Sequence, residues 1–236
     1  MAEAISQPAS ELQPVVVLDQ ITKLFGRFAA VRDISASFTS GKLYAVLGEN
    51  GAGKSTLLRI IAGLARPSRG ILTIFGSPDV RQSLSRIGYM GHAPMLYDEL
   101  SGAENLKYFG ALYRSQAASE SNIESAMQMV GLDPKLARRT SAYSQGMRQR
   151  LALARAIIHD PEFLLLDEPF SNVDVASTQT MASLLGKLRD LGKTIFVVTH
   201  QAEILKAIAD ESVTLQDGRL IARTQSTTNA MREVTR

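Results

Sequence analysis

Cysteine is missing from all 236 residues. That omission excludes disulfides, thiolate metal sites and thiol nucleophiles, and it fits a reducing compartment. Charge of one sign is also scarce. Against 26 Lys+Arg stand 23 Asp+Glu, for a formal net charge of +3 without a long single-sign block. So even a balance offers no footing for nucleic acid as a partner. No apolar run approaches the roughly eighteen residues that span a bilayer. The opening Met1-Ala2-Glu3-Ala4-Ile5-Ser6-Gln7-Pro8 has neither a basic n-region nor an apolar h-region, so no signal peptide is expected. Membrane attachment must then run through a partner. What is left is an ordinary globular composition, 45% hydrophobic and 21% charged. It suffices to bury the core of one large or two small domains.

Against this plain background one stretch stands out, Gly48-Glu49-Asn50-Gly51-Ala52-Gly53-Lys54-Ser55, followed by Thr56. It fits G-x-x-x-x-G-K-[ST] at every fixed position, between an apolar strand-like segment (43–47) and a helix-like one (56–62). Glycines let the backbone wrap a phosphate with its N–H groups inward, and the helix N-terminus adds a favourable dipole. Lys54 would neutralise the β- and γ-phosphates, and the Ser55 hydroxyl would ligate Mg²⁺. The pattern predicts a nucleoside triphosphate site.

Periodicity supplies the frame. Short β-rich segments are expected at 15–18, 21–25, 34–39, 43–47, 71–75 and 87–90. From 104 to 159 the pattern is helical, with apolar spacing of three and four in 104–113, 123–130 and 145–159. Then come a wholly apolar strand (163–166), a helix (175–191), a strand (194–199), a helix (202–209) and a hairpin around Asp217-Gly218. Strands alternating with helices about a phosphate loop imply an α/β, mostly parallel core. The helical stretch, roughly 100–160, interrupts it as an inserted subdomain. Residues 1–14 and 223–236 read as flexible tails around one domain at 15–222.

Hydrolysis also needs a metal anchor and a group to orient water. Asp167 emerges at the end of the apolar strand, where α/β ligands bind, and Glu168 follows it. Asp167 would hold Mg²⁺ through water and Glu168 would act as general base.

At this point the chain resembles the ATP-binding subunits of ABC transporters, across about residues 15–222. The resemblance implies the P-loop NTPase fold of ABC ATPases, with an N-terminal antiparallel β subdomain and an inserted helical subdomain. Tyr143-Ser144-Gln145-Gly146-Met147 stands where that family carries L-S-G-G-Q. Three of its five residues differ, but Ser144 and Gly146, which would grip the γ-phosphate held by a second subunit, are kept. Ser144 is equally a good helix N-cap. Ser171-Asn172-Val173-Asp174 resembles the D-loop, so Asp174 is expected at the nucleotide interface. His200 matches the switch histidine, and Phe25 the aromatic that stacks on adenine, with Phe28 as competitor. One departure concerns the glutamine that usually contacts Mg²⁺: His92 occupies that place, and an imidazole is a poorer mimic of an amide oxygen.

The resemblance further implies ATP and Mg²⁺ as cofactors. It implies an integral membrane permease and a second copy, or a paralogous ATPase subunit, as partners. The site of work is then the cytoplasmic face of the inner membrane, reached peripherally. Gly91-His92-Ala93-Pro94, Glu104-Asn105-Leu106 and the signature look like the haem exporters of cytochrome c maturation. They are also similar to ABC-2-type exporters of drugs, polysaccharides or lipids. Met95, Leu96, Tyr97, Phe109 and Tyr113 are expected either to form a socket for the permease or to pack the helical subdomain. Three rivals remain. A soluble ABC-type factor usually has two ATPase units or long arms, and another phosphate-loop enzyme would leave the signature without purpose. A regulatory subunit with weak hydrolysis is the third.

Overall fold

The computed structural model describes residues 14–113 and 116–226. Of the tails expected at 1–14 and 223–236, residues 1–13 and 227–236 lie outside the described residues, whereas Pro14 opens a strand. β1 (Pro14–Phe25) and β2 (Phe28–Thr39) form a long antiparallel hairpin, and β4 (Arg69–Ile74) pairs with β1 on its other side. The two short segments expected at 15–18 and 21–25 are thus one strand, interrupted by a register shift between Leu18 and Ile21. Gln20, at φ 50, lies within that shift.

The second sheet has six strands in the order β5-β6-β7-β3-β8-β9. β3 (Leu43–Leu47), β5 (Ile87–Met90), β6 (Phe163–Asp167), β7 (Thr194–Val198) and β8 (Glu211–Gln216) run parallel. β9 (Arg219–Gln225) returns antiparallel to β8 through Asp217-Gly218, whose φ values of 49 and 79 suit the mirror-image turn that matches strand twist. β9 corrects one expectation: residues 223–225, read as tail, are paired in the sheet. Arg223 there holds Glu211 at 2.7 Å and the Ser37 carbonyl at 2.8 Å.

β6 and β7 are buried at every residue, as unalternating apolar strands of a covered parallel sheet must be. The two sheets meet over an aromatic knot. Phe38, Tyr44 and Phe196 pack edge to face with centroids 4.9–5.1 Å apart. Helix α1 (Lys54–Ile61) shares that core through Leu57, Leu58, Ile60 and Ile61.

Between β5 and β6 lie α2 (Gly102–Gly110), α3 (Glu120–Met129) and α4 (Gln145–Ile157), which pack on one another over Leu106, Met127 and Leu151. α2 opens with a capping box: Glu104 N–H donates to Ser101 Oγ at 3.3 Å, and Ser101 N–H to Glu104 Oε2 at 2.8 Å. Asn105 is fully buried and ties the preceding loop by hydrogen bonds with the Tyr97 backbone at 2.8 and 3.0 Å. α5 (Val175–Asp190) and α6 (Ala202–Leu205) complete the α-helices among the described residues. α6 is a single turn where eight residues were expected. A short 3₁₀ helix (Val80–Arg86), not read from the sequence, follows β4.

Candidate functional site

The phosphate loop links β3 to α1, and its glycines are fixed by sterics. Gly48 has φ 144, and a Cβ there would stand 2.3 Å from the Leu215 carbonyl oxygen. Gly53 has φ 98, and its Cβ would stand 2.3 Å from the Ala30 carbonyl oxygen. Glu49, Asn50 and Gly51 are exposed, Ala52 is buried and Thr56 is partly covered. The hairpin turn braces the loop from below: Gly218 N–H donates to Ala52 O at 3.1 Å, and Arg32 N–H to Gly218 O at 2.7 Å. Asp-Gly was legible as a turn, but its support of the loop was not.

Lys54 is buried at 6% exposure and donates to the Gly48 and Glu49 carbonyls, both at 2.8 Å. Its ammonium therefore sits inside the curl of the loop. One residue on, Ser55 Oγ donates to Asp167 Oδ1 at 2.9 Å. The end of β6 and the start of α1 thus meet across 112 positions of sequence. Asp167 has no exposed surface, and among the described residues its Oδ2 has no hydrogen-bond partner. Burial pushes its carboxyl above the ordinary aspartate value, against the pull of the Ser55 hydrogen bond and of Arg59 and His92. A buried, unpaired carboxylate oxygen beside a serine hydroxyl and a phosphate loop is the donor set of a hard divalent cation. Mg²⁺ with a nucleotide fits these residues.

Glu168 follows at φ 53, a left-handed turn that costs a non-glycine residue about 1 kcal/mol or more. The turn is held by Glu168 N–H to Val198 O at 2.8 Å and by Ser171 Oγ to Glu168 O at 3.0 Å. The side chain reaches His200, whose Nδ1 lies 3.0 Å from Glu168 Oε2. The predicted base and the predicted switch histidine are in contact.

Ser144 caps α4, accepting from Met147 N–H at 3.2 Å. It is exposed, and among the described residues neither it nor Gly146 has a hydrogen bond to the phosphate loop. Asp174 caps α5 through Ser177 N–H at 2.9 Å, and its Oδ2 would stand 3.5 Å from a Cβ on Gly146. One chain therefore joins Ser144, Gly146 and Asp174 to each other, apart from Lys54 and Ser55. Phe25 and Phe28 face one another across the tip of the first hairpin at 56% and 61% exposure, which excludes a core role for both. Lys23 Nζ lies 5.2 Å from the Phe25 ring centre. His92 is exposed and close enough for its charge to act on Asp167.

Two residues escaped the sequence reading. Gln149 on α4 is buried and donates to Ser171 Oγ at 3.2 Å, joining the helix behind the signature to the turn after Glu168. Arg155, a charge inside the apolar run 151–158, is buried as well. A charged side chain inside an apolar helix stretch was the available signal for Arg155, whereas Gln149, between Arg148 and Arg150, offered none. The expected aromatic cluster divides. Met95, Phe109 and Tyr113 line a groove of about 800 Å³. Tyr97 instead stacks on Phe109 at 5.8 Å, and Leu96 packs on the core.

Comparison with known proteins places this geometry. The family profile described as "ABC transporter" matches residues 31–171. The ABC transporter ATP-binding protein NatA of Bacillus subtilis is 39% identical over 199 residues, which cover 82% of this chain and 81% of that protein. The bacitracin transport ATP-binding protein BcrA of Enterococcus faecalis is 35% identical, over 89% of this chain and 69% of that one. A Nod factor export ATP-binding protein of Rhizobium johnstonii is also 35% identical, over 92% and 72%. Among solved structures, a dimeric ATP-binding cassette in a post-hydrolysis state with ADP and Pi superposes with a TM-score of 0.82. It is 26% identical, over 89% of this chain and 98% of that chain.

Proposed function

The chain belongs to the ABC transporter family as an ATP-binding, ATP-hydrolysing subunit, and from that premise we propose how its residues divide the work. The carrying observation is the junction of Ser55, Asp167, Glu168 and His200 at the C-terminal ends of β6 and β7. Ser55 and Asp167 would hold Mg²⁺, which would supply positive charge against the phosphates. Lys54 leaves the Gly48 and Glu49 carbonyls for the β- and γ-phosphates. Glu168 takes the proton of the attacking water, and His200 orients Glu168 and senses the γ-phosphate. Phe25 or Phe28 stacks on the base.

Among the described residues Ser144 and Gly146 make no hydrogen bond to the loop of their own chain, which favours a head-to-tail pair. In it each copy, or a paralogous subunit, offers its α4 N-terminus to the γ-phosphate on the other. Asp174, packed beside Gly146, lies in the same seam. The groove at Met95, Phe109 and Tyr113 receives a cytoplasmic segment of a membrane permease. None of the described helices is long and apolar enough to cross a membrane. A peripheral place on the cytoplasmic face of the inner membrane follows from such docking.

For the cargo, we favour the ABC-2-type reading over haem. The Glu104-Asn105 pair that suggested haem export already has structural work in the capping box and the loop tie. The relatives whose names state a cargo carry bacitracin and Nod factor.

Glu168→Gln tests the core of this assignment. It should bind ATP normally, slow hydrolysis by about 10²–10⁴-fold, and accumulate an ATP-dependent dimer on size exclusion. A wild-type rate would remove Glu168 as base.

A further inference from the structure

One residue outside every motif grips two parts of the nucleotide site at once. Gly218, in the turn between β8 and β9, uses both of its backbone groups there. Its N–H donates to Ala52 O of the phosphate loop at 3.1 Å, and its carbonyl accepts from Arg32 N–H of β2 at 2.7 Å. The fit is close. A Cβ on Gly218 would stand 2.9 Å from the Ala30 carbonyl oxygen. One on Gly53 would stand 2.3 Å from that same oxygen and 3.5 Å from Gly218 Cα. Loop, turn and β2 therefore meet backbone against backbone, with no side chain between them to give way.

The strand that Gly218 holds is the one that carries a candidate stacking ring. β2 opens with Phe28, opposite Phe25 on β1. The ladder of this hairpin does not by itself fix where the two rings stand. Its register shifts three times between Leu18 and Leu24, and Asp33 on β2 has φ 51. Such irregularities bend and twist a hairpin between its root and its tip. The tip is pinned from outside instead. On the β1 arm, Leu24 N–H donates to Ser68 Oγ at 3.0 Å and Lys23 Nζ to Arg66 O at 2.7 Å. On the β2 arm the pin is Gly218, and that pin is shared with the phosphate loop.

We propose that Gly218 is a positioning residue that sets the separation between the base-stacking ring and the phosphate cradle, so that the site selects a base joined to its phosphates over the phosphates alone. The inference rests on the stacking role given to Phe25 or Phe28 and adds what holds that ring in step with the loop. A ligand with two anchors gains from the second only when both receptors stand at the separation that its covalent frame imposes. Base–aromatic stacking is worth about 5- to 150-fold in affinity. The gain is kept when the ring is in place before the ligand arrives, and it shrinks when the ring must be ordered on binding.

The test is a ratio of two affinities, measured by calorimetry on the whole chain with Mg·ADP and with Mg·pyrophosphate. Wild type should prefer ADP by at least the stacking share, about 5- to 150-fold. Arg32→Pro removes the N–H that β2 gives to Gly218 and leaves the Gly218 bond to Ala52 in place. β2 is an edge strand, where proline is tolerated. In this variant the preference for ADP should collapse by most of that share while pyrophosphate binds as before. Arg32→Ala keeps the N–H and should keep the preference. Gly218→Ala, which presses a Cβ on Ala30 O, should shrink the same ratio and serves if the proline variant does not fold. A folded Arg32→Pro chain with the wild-type preference, or one that loses both ligands equally, would overturn the proposal. Phe25→Ala combined with Phe28→Ala separates the two levels. If the pair leaves the preference unchanged, the stacking reading falls and the proposal with it. If the pair lowers the preference and Arg32→Pro does not, only the role of Gly218 is lost.

Discussion

Asp167→Asn separates the stability of this fold from its chemistry. The carboxyl has no exposed surface, takes one hydrogen bond from Ser55 at 2.9 Å and leaves Oδ2 unpaired among the described residues. An amide keeps the Ser55 contact and removes the buried charge. A buried polar group left unpaired costs about 1–3 kcal/mol, and more when it is charged; the amide NH₂ inherits the unpaired place without the charge, so the variant without ligands should gain about 1–2 kcal/mol. For a chain of this length that is a Tm higher by about 2–8 °C. The pH dependence has a fixed sign. Burial raises the folded pKa above 3.8; the wild type thus loses stability as pH rises through that raised value, and the advantage of Asn fades at lower pH. Ligand reverses the ranking. Mg²⁺ and ATP at about 100 times their dissociation constant should add about 2.7 kcal/mol to the wild type, and far less to the variant. Thermal melts at neutral pH with and without Mg·ATP, beside a steady-state ATPase assay, read both effects. An apo variant that melts below wild type would refute the account of Asp167 as an unpaired, strained carboxylate kept for a cation.

Two further outcomes follow from sterics and burial. Gly53→Ala places a Cβ 2.3 Å from the Ala30 carbonyl oxygen at φ 98, so the loop must shift; ATP affinity by calorimetry should fall about 5- to 150-fold, given strain of about 1–3 kcal/mol. His159 is stacked on Tyr113 at 3.7 Å, and burial depresses its pKa below 6.5. Its contribution to stability is complete above that value and declines as pH falls through the depressed one. His159→Phe keeps the stack and removes the proton, so its Tm should fall less than that of wild type between pH 7 and pH 5.

Several elements were legible because a local rule dictated them. The apolar run of β6, the phosphate loop between β3 and α1, and the Asp217-Gly218 turn each carry their geometry in consecutive residues. Boundaries were weaker where long-range pairing overrides local pattern. β1 stays one strand across its irregularity at Gln20 because β2 and β4 flank it on both sides. β9 extends to Gln225 because Glu211 and the Ser37 carbonyl hold Arg223. Spacing could not reveal Gln149 and Arg155, since each owes its role to a backbone or hydroxyl distant in sequence.

By itself the amino-acid order determined the chemistry on offer: a phosphate cradle, a lysine, a serine, two adjacent carboxylates and a histidine at a strand end. Those are properties of side chains and of short backbone rules. Tertiary structure decided which of them meet. It brought Ser55 to Asp167 across 112 residues and Glu168 to His200 across 32. It left Ser144 and Gly146, among the described residues, without a hydrogen bond to the loop of their own chain. It also set Arg155 in the lining of an apolar groove, on the Met95 and Tyr89 carbonyls. Meeting depends on parallel strands of one sheet ending at a common edge, and no run of neighbouring residues encodes that edge.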